Sequence, residues 1–155
     1  MSGFWDWALV AYRAPGVSEA CLTLQDTHGH NVPLLLWAGW TAAMGLALDE
    51  ETIEAACDAA RAWDGAAVGP LRAVRRTLKG PIPDIGDAGR EALREQVKVI
   101  ELAAERALMS DLEALVPAAS GPAMSKLEAL VEVARVWARV VPRPALAALA
   151  ERLPA

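Results

Sequence analysis

Apolar residues recur along this chain at steps of three and four, and no stretch alternates convincingly between apolar and polar, so the pattern predicts helices throughout. Phe4, Trp5, Ala8, Leu9 and Tyr12 mark a first short helix. Pro15-Gly16 breaks it, and Val17, Ala20, Cys21 and Leu24 carry a second helix to about Thr27–Gly29. From Val32 to Leu48 almost every position is apolar, which predicts a buried central helix with Asn31 as its N-cap and Pro33 in its first turn. Gly39 and Gly45 cost stability inside such a helix, and the expectation is that they let a neighbouring backbone or a tryptophan ring come close.

Asp49 reads as the cap of a fourth helix, with Glu50 and Glu51 in its first turn and Ile53, Ala56, Cys57, Ala60 and Trp63 as its stripe, ended or bent at Gly65. A fifth helix is expected from about Val68 to Leu78, with Ala67, Leu71, Val74 and Leu78 on one side and Arg72, Arg76 and Lys79 nearly opposite, Arg75 on the flank. Pro81 and Pro83 force a loop. The longest helix, near 87–116, carries the stripe Leu93, Val97, Ile100, Ala104, Leu108, Leu112 and Leu115, widened by Val99, Leu102 and Met109. Pro117 to Pro122 is the clearest break in the chain. Beyond it Leu127, Leu130, Val131, Ala134 and Trp137 predict another helix, and Leu146, Leu149 and Leu153 a short last one. The fold class expected is all-α: an irregular bundle of six to eight helices, with a buried central helix near 32–48 and a long helix near 87–116.

At 155 residues the chain has the size of a single domain, 1–155, in which 122–155 is a helical extension too short for its own core. Its apolar face must dock on the core or on a partner, and a second copy of the chain would form a homodimer. A formal charge of -5 gives no general attraction to polyanions, which speaks against nucleic acid. The run Val32 to Leu48 is interrupted and too short to span a bilayer, and the N-terminus lacks a basic segment ahead of an apolar one. No membrane role and a cytoplasmic location are therefore expected. Cys21 and Cys57 lie in apolar helical patterns and read as core thiols.

Several stretches together resemble a family. Phe4-Trp5 through Tyr12 to Pro15-Gly16-Val17, then Ala20-Cys21-Leu22, Leu24-Gln25-Asp26 and Gly29, then Leu34-Leu35-Leu36 form the first part. Pro70-Leu71-Arg72, Arg75-Arg76, Leu78-Lys79, Lys98, Glu101-Leu102 and Glu105-Arg106 form the second. Over about residues 4–116 this order is similar to a family of small bacterial proteins known only as a conserved domain of unknown function. The resemblance implies a compact helical protein; it supplies no substrate and no catalytic residue.

Candidate chemistry is sparse. There is no glycine-rich phosphate loop, no nucleophile elbow and no zinc-protease motif, so no cofactor and no metal is expected. Asp26, His28 and His30 lie within five residues but match no strong metal signature, and ordinary loop and cap roles explain them. Gln25 and Asp26 are better read as fixing the turn into the central helix. The most distinctive group is basic: Arg72, Arg75, Arg76 and Lys79 share one arc of a helix and repel unless partnered. Three partners compete: Glu101 and Glu105 of the long helix, an acidic patch on a partner protein, or a phosphate-bearing ligand or nucleic acid. The leading functional expectation is a non-enzymatic protein-interaction or regulatory module with a protein partner. The alternative is a small-molecule enzyme or binding protein in which Gln25, Asp26 and His28 face Arg72, Arg75 or Arg76 across a pocket for an acidic or phosphate-bearing ligand. Trp7 and Trp137 are the tryptophans expected to be exposed.

Overall fold

The apolar run after Asn31 becomes the helix around which the others pack. A computed structural model describes residues 3–115 and 122–155, and among these residues there are eight α-helices, one π-helical turn and no strand. They are α1 (Phe4–Arg13), α2 (Val17–Asp26), α3 (Val32–Ala43), α4 (Glu50–Trp63), α5 (Gly69–Thr77), α6 (Asp87–Ala114), α7 (Lys126–Trp137) and α8 (Arg143–Arg152). The π turn, Asp64–Val68, joins α4 to α5. The protein is an all-α multi-helix bundle, as its periodicity predicts. Among the described residues no helix is long and apolar enough to cross a membrane.

Every residue of α3 from Leu34 to Thr41 is buried, so this segment has no solvent face. The Asn31 side chain accepts from the Leu34 N–H at 3.0 Å, and Pro33 occupies the first turn where its missing N–H goes unneeded. α7, α6, α1 and α4 surround it, α7 most extensively. The helix ends at Ala43, not near Leu48. Gly45 takes a left-handed φ of 77°, its N–H donates to Ala42 O and the Leu46 N–H to Thr41 O, which closes the helix with a Schellman cap. Gly45 therefore serves a turn, whereas Gly39 gives space as expected: a Cβ there would lie 2.7 Å from Leu153 Cδ1 and 3.3 Å from the Trp7 ring.

Gly65 does not end α4. The chain stays helical through the π turn, in which the Gly69 N–H reaches back five residues to Asp64 O. Pro70, in the first turn of α5, has no N–H to give and its ring would crowd the carbonyl four residues earlier; widening the preceding turn relieves both problems. A Cβ on Gly69 would stand 2.7 Å from Asp64 O, so the turn needs a glycine there.

α5 and α6 form an antiparallel hairpin. In α6 the buried residues are Arg90, Val97, Glu101, Ala104, Leu108, Met109 and Leu112, while Leu93, Val99, Ile100 and Leu102 are about half exposed or more. The expected stripe is thus correct at Val97 and from Ala104 to Leu112, and fails at Leu93 and Ile100. The expected orientation of α5 holds at Leu78, which is buried, and at Arg76 and Lys79, which are exposed, but fails at Val74, which is exposed, and at Arg72, which together with Arg75 meets Glu101 of α6. Polar partners on α6 decide the orientation, because Glu101 is buried there and has to be neutralised.

The apolar face of α7 is covered within the chain, with Ala129, Leu130, Val131, Val133 and Ala134 buried against α3, α4 and α8. Of the expected break from Pro117 to Pro122, positions 117–121 lie outside the described residues, as does position 116, the expected end of the long helix. Neither Trp7 nor Trp137 is exposed; both are partly buried against the core.

Candidate functional site

A cavity of about 170 Å³ opens where the α2–α3 turn, the π turn, α5, α6 and the end of α7 converge. The turn contributes Gln25, Gly29, His30 and Asn31, and the first turn of α3 contributes Val32 and Pro33. Across from them stand Asp64 and Val68 of the π turn, Arg72 of α5, Glu105 and Leu108 of α6, and Trp137 of α7.

Local geometry explains each placement. Gly29 adopts a left-handed φ of 68°, and the following His30 N–H donates to Leu24 O at 3.0 Å, which folds the chain back over the end of α2. His30 is consequently 3% exposed, and neither ring nitrogen meets hydrogen-bond geometry with another group among the described residues. Burial pushes its pKa below the ordinary histidine value; the backbone of Val140 opposes that shift and His28 adds to it. The His30 ring thus forms part of the cavity wall with its nitrogens closed to solvent. Leaving such a group unsatisfied costs about 1–3 kcal/mol, so its retention asks for a reason.

Trp137 is held as a wall. Its Nε1–H donates to Gly29 O at 2.9 Å, the Arg61 guanidinium lies 4.8 Å from the ring centroid, and Arg61 Nη2 donates to Trp137 O at 3.0 Å. The extension after Pro122 therefore completes the cavity.

Opposite lies a chain of charges. Glu101, on the buried side of α6, accepts from both Arg72 and Arg75, and Arg72 also approaches Glu105 at 3.5 Å. The bond from Glu101 raises the Arg75 pKa. Burial raises the pKa of Glu105 against the pull of Arg72, with Glu101 adding to the rise. Asp64 has no ion pair and no side-chain hydrogen bond among the described residues. The cavity wall thus holds an unpaired carboxylate, a second one shared with an arginine, and an imidazole.

Of the residues singled out from sequence, Gln25 and Arg72 line this cavity. Asp26 lies beside it on the surface, 3.7 Å from Arg76, and accepts from the Gln25 side chain at 3.3 Å. Arg75 faces Glu101 in a neighbouring groove, and Lys79 and His28 are exposed and do not line the cavity. Sequence reasoning took His30 for a loop residue and did not single out Asp64 or Glu105 as wall residues. The one signal available was the place of His30, immediately before the cap of an apolar helix, where the chain turns inward. Among the described residues no three His, Cys, Asp or Glu side chains cluster closely enough to hold a metal ion. Cys21 and Cys57 are buried free thiols, and burial pushes them to about 12 and about 11.

Fold and cavity together define a helical bundle with a polar cavity at the mouth of its central helix. A family model described as "Protein of unknown function (DUF2390)" matches residues 3–112, and the chain belongs to that family. No curated protein and no solved structure matches it. The matched segment supplies every wall residue of the cavity except Trp137.

Proposed function

We propose that this protein binds a small polar molecule in the cavity between the α2–α3 turn, the π turn and α6. The observation that carries the reading is the cavity wall at His30: a nine-tenths buried imidazole, with neither nitrogen in a well-formed hydrogen bond among the described residues, beside a cavity with room for a small molecule. Glu105, whose pKa burial raises, supplies a second group able to give or take a proton there. The test uses saturation-transfer NMR with a panel of small polar metabolites on the wild-type protein and on His30→Phe. Phenylalanine fills the same space without nitrogens, so the variant is expected to melt at the same temperature or higher while losing the binding signals. Binding that persists in His30→Phe, or no binding to the wild type, overturns the reading.

A protein-interaction role has one observation in its favour: Leu93, Val99, Ile100 and Leu102 of α6 are exposed. At 100° per residue Val99 and Leu102 fall on the opposite flank from Leu93 and Ile100, so these residues do not form one stripe. The arginines offer an acidic partner little, because Arg72 and Arg75 already face Glu101.

A further inference from the structure

The charge on the cavity wall says what kind of molecule fits, on the reading that a small molecule binds there. Arg72 is the one basic residue of that wall, and it is engaged by Glu101 and Glu105 together. An anion entering the cavity would have to break those pairs and would meet Asp64 and Glu105 unneutralised, a like-charge penalty inside a partly desolvated site. A cation meets the opposite situation: Asp64 is unpaired among the described residues and Glu105 has only the shared arginine. Room for the remainder of such a molecule lies next door. A second cavity, of about 160 Å³, shares Pro33 and Glu105 with the first and is otherwise mostly apolar, bounded by Leu9, Leu36, Leu102 and Met109.

We propose that the ligand is an organic ammonium compound with an apolar arm, its cationic head between Asp64 and Glu105 and its arm over Pro33 toward Leu36 and Met109. This reverses the acidic or phosphate-bearing ligand that the arginine-rich helix suggests. The sequence displays the arginines; the fold places their acidic partners against them.

Isothermal titration in phosphate buffer, free of competing amines, tests the proposal with four probes: n-hexylamine, hexanol, hexanoate and ethylamine. The full-length chain is expected to bind hexylamine at one site and hexanoate not at all, with ethylamine weaker by about tenfold or more for want of the arm. Asp64→Asn and Glu105→Gln are each expected to weaken hexylamine by about tenfold, both variants being checked for an unchanged circular dichroism spectrum. Hexanol or hexanoate binding as tightly as hexylamine, or hexylamine binding unaffected by both substitutions, overturns the cation while leaving small-molecule binding in place. Ethylamine as tight as hexylamine overturns the arm. No heat from any of the four, together with an empty metabolite screen, overturns both the ligand class and the binding role.

Discussion

The surroundings of α3 and the seam between α5 and α6 are built on different principles. Around α3, Leu34, Leu35, Leu36 and Trp37 pack with Leu130, Val133 and Leu112, all at most 1% exposed, and stability follows the apolar area removed from water. In the seam α5 buries no residue of its own, and its contact with α6 runs through Arg72, Arg75 and Glu101 and through Arg90, which donates to Leu78 O. Ion pairs of this kind contribute little net stability, because desolvation offsets much of the attraction. The bundle therefore has a tightly packed side and an adjustable side, and the cavity lies where they meet. His30 and Leu108 belong to the first; Asp64, Arg72 and Glu105 belong to the second. A site so placed can hold one part of a ligand rigidly and let charged groups close around another.

The contrast should appear most strongly within α6 itself. Leu112→Ala, at a fully buried position, is expected to cost about 2–5 kcal/mol, and Ile100→Ala, three turns earlier and half exposed, no more than about 0.5 kcal/mol, as read from urea denaturation. Similar costs at the two positions would erase the distinction. Gly69→Ala comes next: its Cβ meets a backbone oxygen that cannot rotate away, and a loss of about 1–3 kcal/mol is expected in thermal melts, with displacement of Asp64. Glu101→Gln should cost less, about 1 kcal/mol, and should speed amide exchange in α5 and the first half of α6 while leaving α3 protected. Uniformly faster exchange would mean that the seam and the core are one cooperative unit.

The smallest effects are in pH dependence, and the two cavity groups pull in opposite directions. His30 has a folded pKa lowered below the ordinary 6.5, so the unfolded chain binds the extra proton and stability falls as pH drops below that value. Glu105 has a folded pKa raised above the ordinary 4.5, so its contribution is present at low pH and is lost as pH rises through the folded value. Melting temperatures between pH 7.5 and 4.5 should accordingly fall less steeply in His30→Phe and more steeply in Glu105→Gln than in the wild type. Matching slopes in all three proteins would show that neither group titrates differently on folding.

The fold was legible in the sequence to the extent that burial alone decides it. Period and punctuation place all eight helices, and Asn31, Asp49 and Pro33 behave at the helix starts as their chemistry predicts. Periodicity failed where polar groups decide: it assigned Leu93 and Ile100 of α6 to the core and set Arg72 opposite the packing side of α5. The π turn was invisible because an extra residue in a helix leaves no compositional mark beyond Gly69-Pro70. Of the candidate site, Gln25 and Arg72 were legible, whereas Asp64 and Trp137 come to His30 from 34 and 107 positions further along the chain, a juxtaposition only the fold creates. The pairing of Arg72 and Arg75 with Glu101 could be named as one of three alternatives from charge alone, but choosing it required knowing that Glu101 is buried.

On the proposed reading the cavity beside His30, and not the exposed flanks of α6, is where this protein engages another molecule. Two-dimensional ¹H–¹⁵N spectra during titration with a compound that binds test it most directly, since the Trp137 indole N–H and the His30 ring nitrogens are reporters placed in that wall. These resonances and the backbone signals of Asp64 and Glu105 are expected to move together and saturate at one equivalent. Shifts confined to Leu93, Val99, Ile100 and Leu102, with the Trp137 indole unmoved, would contradict it.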